Sequence, residues 1–74
     1  MSVLPRVSGR EVVQALMRIG YEQDRQHGSH IILRQIASPH RRLVIPEHSE
    51  MAKGTLRAII RQAGLTVDEF KALL

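Results

Sequence analysis

Gln26-His27-Gly28-Ser29-His30-Ile31-Ile32-Leu33 is the stretch on which the reading of this chain turns. A Gly-Ser pair between a polar segment and an apolar run predicts a two-residue hairpin turn that opens into a strand. His30 then takes the first strand position, with the ladder on one side and solvent on the other. A histidine held that way is oriented by backbone and still able to reach a substrate. The remainder of the chain reads as scaffold, charge and partner surface around it.

Upstream of the turn, Tyr21 to Gln26 is only weakly strand-like alone and becomes a strand because the turn supplies it with a partner. The second strand is expected from His30 to Gln35. Ala37-Ser38-Pro39-His40 reads as a loop, since Pro39 cannot sit in a central ladder. Arg41 to Ile45 is the third strand, stopped by Pro46. Strands two and three carry apolar residues at consecutive positions, so pattern leaves open which face of each is buried.

Helices flank this meander. Ser8 and Glu11 have the spacing of a capping box, with Val7 and Val12 as a hydrophobic staple. Val12, Val13, Leu16 and Met17 form an apolar stripe, and Gly20 suits the left-handed residue after a helix over 9–19. After the loop Pro46 to Glu50, Leu56, Ile59, Ile60 and Ala63 recur at helical spacing, which predicts a helix over 52–63 closed by Gly64. Thr66 and Glu69 repeat the box, with Leu65 and Phe70 as staple, before a short helix to about Leu74. Met1 to Arg6 reads as an extended, poorly ordered lead-in. The order α-β-β-β-α-α predicts an α+β sandwich, a three-stranded antiparallel sheet with helices packed on one face.

At 74 residues the chain is expected to form one domain spanning 1–74. With one Phe, one Tyr and no Trp, its core has to come from Val, Leu, Ile and Met. The absence of cysteine excludes disulfides and cysteine-based zinc sites. No apolar run approaches the ~20 residues of a membrane span, and the amino terminus lacks a signal core, so a cytoplasmic protein is expected. The net charge is +4, and all eleven basic residues but Lys53 and Lys71 are arginines. Guanidinium forks match phosphate oxygens bidentately, so nucleic acid is a candidate partner, with a solvated basic surface as the alternative. A helix-turn-helix DNA binder conflicts with the three strands.

The chain resembles the HicA (YcfA-like) mRNA interferase toxins of prokaryotic toxin–antitoxin pairs. The likeness lies in Ser8-Gly9, Ile19-Gly20-Tyr21, Gly28-Ser29-His30, Val44-Ile45-Pro46 with His48, Lys53-Gly54-Thr55-Leu56-Arg57, Ile60 and Gln62-Ala63-Gly64-Leu65. Order and spacing over nearly the whole chain, from Val7 to Leu74, make it specific. It implies a fold like a double-stranded-RNA-binding domain, RNase activity centred on His30, and a HicB-type antitoxin as partner. No cofactor is expected.

RNA carries its own nucleophile, the 2′-hydroxyl, so cleavage needs proton transfer and charge stabilisation rather than a catalytic Ser, Cys or metal. A histidine with an ordinary pKa of ~6.5 suits the first task. With the resemblance, His30 is the expected catalytic residue, as general base or acid, leaving a 2′,3′-cyclic phosphate and a 5′-hydroxyl; residue pattern alone would favour a strand-start residue whose ring bonds backbone. His48, after Pro46, is either a second proton-transfer group or a solvated loop residue. His27 and His30 have H-x-x-H spacing across a turn, without the cysteines or paired acids that complete a metal shell, so no metal site is expected. Gly28 and Ser29 beside His30, Arg25 and Arg34 on neighbouring strands, Arg42 on the third, and Lys53, Thr55 and Arg57 at the second helix are the expected RNA contacts. The same arginines would suit an acidic antitoxin surface equally. A non-catalytic RNA-binding module of the same fold is the alternative function.

Overall fold

Ser8 starts the first helix by satisfying its free amides. In the computed structural model, which describes residues 3–74, the Glu11 amide donates to the Ser8 hydroxyl at 3.1 Å. The Ser8 amide donates to the Glu11 carboxylate at 2.9 Å, so both halves of the capping box form. Helix α1 runs Gly9–Met17, with Val7 and Val12 buried beside the box. Replacing Ser8 with Ala leaves the Glu11 amide without its acceptor. The expected loss is about 1 kcal/mol, read as a lower urea midpoint at unchanged slope.

The stripe of α1 is Val12, Val13, Ala15 and Leu16, while Met17 is 43% exposed rather than buried. Met17 lies ~100° around the helix from Leu16 and leaves the sheet-facing side. The helix also ends two residues short of Ile19. The amides of Arg18, Ile19 and Gly20 each donate to a carbonyl three residues back, which tightens the last turn. Gly20, at φ +95°, then reverses the chain into the sheet.

Strands β1 (Tyr21–His27), β2 (His30–Gln35) and β3 (Arg42–Pro46) form one antiparallel sheet in the order β1-β2-β3. Strand β3 starts one residue later than expected and takes in Pro46, which lies opposite His30. It is an edge strand, where a missing N–H costs no ladder bond. The question of faces is settled by the helices. Tyr21, Ile31, Leu33, Leu43 and Ile45 share one buried cluster with residues of α1 and of the later helices, while Ile32 is half-buried and Val44 is 51% exposed.

Helix α2 (Lys53–Gln62) begins one residue after Ala52, which is its N-cap, and buries Leu56, Ile59 and Ile60. Ala63 packs on the core from its C-cap position, and Gly64, at φ +76°, ends the run. The Thr66–Glu69 capping box forms as expected, with bonds of 2.8 and 3.1 Å, and opens helix α3 (Val67–Lys71). Helix α3 stops before Leu74 because the amides of Leu73 and Leu74 also reach back only three residues. Its Phe70 is fully buried. In the lead-in, Leu4 packs on the core, whereas Met1 and Ser2 lie outside the described residues. No described helix is long and apolar enough to cross a membrane. The fold is the expected α-β-β-β-α-α sandwich, similar to a double-stranded-RNA-binding domain.

Candidate functional site

The turn that carries His30 is held by three elements. Gly28 stands at φ +56°, and the following Ser29 is not at positive φ, the pattern of a type II′ turn with glycine first. The Gln26 amide side chain donates to the Gly28 carbonyl at 3.0 Å and to the Glu47 carboxylate at 2.8 Å. Glu47 follows β3, and its backbone amide donates to the Ser29 carbonyl at 2.6 Å. Its second carboxylate oxygen accepts from Arg10 of α1 at 2.5 Å. One carboxylate thus ties the hairpin tip to the strand-three loop and to the first helix.

Backbone bonds bring more chain to this end of the sheet. Gly9 donates to the His48 carbonyl at 2.9 Å, and Met51 donates to the Val7 carbonyl at 2.8 Å. Both long helices therefore begin at the hairpin end, with positive dipole ends there. The start of α1 is occupied by its capping box and Glu47. The start of α2 has no side-chain cap and no acidic residue in its first turn. Lys53 and Thr55 are exposed there and Arg57 one turn on, and neither Lys53 nor Arg57 has an ion pair among the described residues.

Arg25, Arg34 and Arg42 lie together on the sheet face that no helix covers, but not as bare cations. Arg42 donates to Asp24 at 2.6 Å, Arg25 stands 3.5 Å from the same carboxylate, and Arg34 donates to Glu22 at 3.3 Å. The Arg42 hydrogen bond holds the Asp24 carboxyl below its ordinary value. Between these pairs Ile32 and Val44 form an apolar strip, with His30 beyond them at the turn end. His30 and His48 are both exposed, and neither ring has a hydrogen-bond partner among the described residues. The candidate residues line an open surface, which admits a polymer more readily than an enclosed small molecule. A hollow of about 250 Å³ lies elsewhere, between α1 and the last two residues, and contains none of them. The described residues hold no group of three or more acids, histidines or cysteines that could bind a metal.

Hydrogen bonds from Arg10, then Gln26, hold the Glu47 carboxyl below its ordinary value of 4.5. A carboxylate with a lowered folded-state pKa stabilises the fold above its unfolded value, and that contribution disappears as pH falls through the folded one. Glu47→Gln is therefore expected to melt below wild type at pH 7, with the two melting temperatures converging as pH drops below about 4. Circular-dichroism melts across pH 3 to 7 read this directly. The pair is exposed, so the effect on stability is small.

The sequence did not single out Gln26, Glu47 and Arg10 as the residues that fix the tip, and it paired His27 with His30 only as a metal-ligand spacing. For His27 a signal existed, since the residues flanking a two-residue turn are cross-strand partners. For the clamp there was none, because it joins three elements distant in sequence.

The resemblance implied a fold like a double-stranded-RNA-binding domain, and the three-stranded antiparallel sheet backed by helices is of that kind. A family model described as HicA toxin of bacterial toxin–antitoxin matches residues 9–65. A chain of the toxin–antitoxin complex from Streptococcus pneumoniae superimposes with a TM-score of 0.68 at 35% identity, covering 80% of this chain and 98% of that chain. A comparison with curated proteins finds no match. With the motifs, the fold and a family match over most of its length in agreement, the chain belongs to the HicA family of bacterial toxins.

Proposed function

We propose that the chain is a metal-independent endoribonuclease that cleaves mRNA in the cytoplasm, with His30 transferring a proton at the scissile phosphate. The observation that carries this reading is the state of His30. It is exposed at the first position of β2, with an unpartnered ring, beside a turn clamped by Gln26 and Glu47. Such a ring is fixed at its backbone and open to a substrate. RNA supplies its 2′-oxygen as nucleophile, so a positioned proton-transfer group and phosphate contacts suffice for cleavage. Gly28 and Ser29 would meet the backbone at the turn, and Lys53, Thr55 and Arg57 would meet it near the uncapped start of α2. Arg25, Arg34 and Arg42 would exchange their Asp24 and Glu22 partners for phosphates or for an antitoxin. The partner proposed is a HicB-type antitoxin, supported by the toxin–antitoxin complex to which this chain is similar.

The test is cleavage of end-labelled single-stranded RNA by purified protein in EDTA. Fragments ending in 2′,3′-cyclic phosphate and 5′-hydroxyl are the expected products. Fragments carrying 5′-phosphate would overturn the mechanism. RNA bound without cleavage would leave a non-catalytic RNA-binding module.

A further inference from the structure

We infer that His27 is the second proton-transfer group of the cleavage reaction, acting with His30 across the hairpin. The inference rests on the nuclease reading of His30 and deepens it. His27 and His30 are direct register partners at the end of the β1–β2 ladder. Opposed side chains in an antiparallel pair share a face, with Cβ atoms about 4.5–5.5 Å apart.

Which face they share is fixed by an irregularity in β1. Gln23 pairs with Leu33, but Arg25 pairs with Ile32, so Asp24 is an extra residue in the strand. A one-residue insertion moves every following side chain to the opposite face. Without it, His27 would share the helix-covered face with Tyr21 and Gln23. With it, His27 stands opposite His30 on the bare face. Asp24 itself is held by Arg42 and Arg25, so the bulge is anchored to β3. His27 is exposed, and its ring has no partner among the described residues.

Two imidazoles at this spacing can flank one phosphodiester. One takes the proton from the 2′-hydroxyl as the 2′-oxygen–phosphorus bond forms. The other gives a proton to the 5′-oxygen as the phosphorus–oxygen bond to it breaks. The products are a 2′,3′-cyclic phosphate and a 5′-hydroxyl, and the two rings end with their protonation states exchanged. His48 is a weaker candidate for the second role. Its backbone is committed to Gly9 on α1, and it is not a register partner of His30.

The charged and titratable groups around His27 are His30 opposite and Arg25 on its own strand. Glu47 reaches the same end through Gln26, and His48 follows it in the loop. A bell-shaped dependence of kcat/KM on pH is expected for wild type, with one limb from each of the paired histidines. His27→Gln is expected to lower kcat by about 10²–10³-fold with KM little changed, and to abolish one limb. His48→Ala should keep both limbs. A substrate with sulfur replacing the 5′-bridging oxygen needs no proton at its leaving atom. It should restore the rate of whichever variant, His27→Gln or His30→Ala, has lost the acid, a rescue that a merely structural role would not give. Since His27 is exposed, His27→Gln should melt within a few degrees of wild type. Wild-type rates and both limbs in His27→Gln, with His30→Ala inactive, would overturn this inference and leave the nuclease reading standing. Loss of a limb in His48→Ala instead would do the same in favour of His48. An inactive wild type would overturn both readings.

Discussion

His30→Ala is expected to cut the rate of RNA cleavage by about 10³-fold, the usual worth of a positioned acid–base group. RNA affinity should stay within severalfold of wild type. The reason for the separation lies in where the side chain sits. His30 is exposed, makes no side-chain bond among the described residues, and its Cβ projects from the face opposite the core. Removing the ring therefore opens no cavity and orphans no buried partner, so stability should change by no more than about 0.5 kcal/mol. The contacts expected to hold RNA, Lys53, Thr55 and Arg57 on α2 and the arginines of the sheet, are untouched. Single-turnover cleavage, filter binding and thermal melts on one preparation give all three quantities. Equal cleavage by variant and wild type would remove His30 from the mechanism. A matched loss of binding and cleavage would make it a binding residue instead.

Gly9→Ala is the substitution with the largest expected effect on stability among those considered. A Cβ built on Gly9 would stand 2.0 Å from the Pro46 carbonyl oxygen and 3.1 Å from Glu47 Cα. Both neighbours are backbone, so neither can rotate away, and α1 or the end of β3 has to shift. Overpacking of this kind costs about 1–3 kcal/mol, and the strained Gly9–His48 hydrogen bond adds roughly another 1 kcal/mol. The better helix propensity of alanine offsets part of this, by under about 1 kcal/mol. The net expectation is a loss of about 1–3 kcal/mol, or a fall in melting temperature on the order of 5–25 °C for a domain this small. Gly54→Ala is the control. A Cβ there meets nothing within 4 Å, so no destabilisation is expected. A Gly9→Ala protein that melts with wild type would mean that the approach of α1 to Pro46 is looser than described.

The capping boxes at Ser8–Glu11 and Thr66–Glu69, the glycines at 20, 28 and 64, and the His30 strand start were all legible in the sequence. Each depends on residues within a few positions of one another, and local hydrogen bonding or a positive φ selects the residue type. The helix ends were less legible. Tightened last turns end α1 at Met17 and α3 at Lys71, and no residue type announces that geometry. Met17 was misplaced for a related reason, since a stripe read by spacing does not say where the sheet stops covering the helix.

By itself, then, the sequence determined the order of elements, the turn that presents His30 and the basic character of the surface. The choice of buried face in the Ile31-Ile32-Leu33 and Leu43-Val44-Ile45 runs was left to tertiary structure, because consecutive apolar residues satisfy either register. So was the side of the sheet on which His27 stands, which depends on one unpaired residue, Asp24, whose carboxylate is tied to Arg42 two strands away. The clamp of Arg10, Gln26 and Glu47 on the hairpin, and the need for glycine at position 9, arise where α1 meets the end of β3. Contacts between elements distant in the chain leave no periodicity or spacing behind, so only the folded arrangement could supply them.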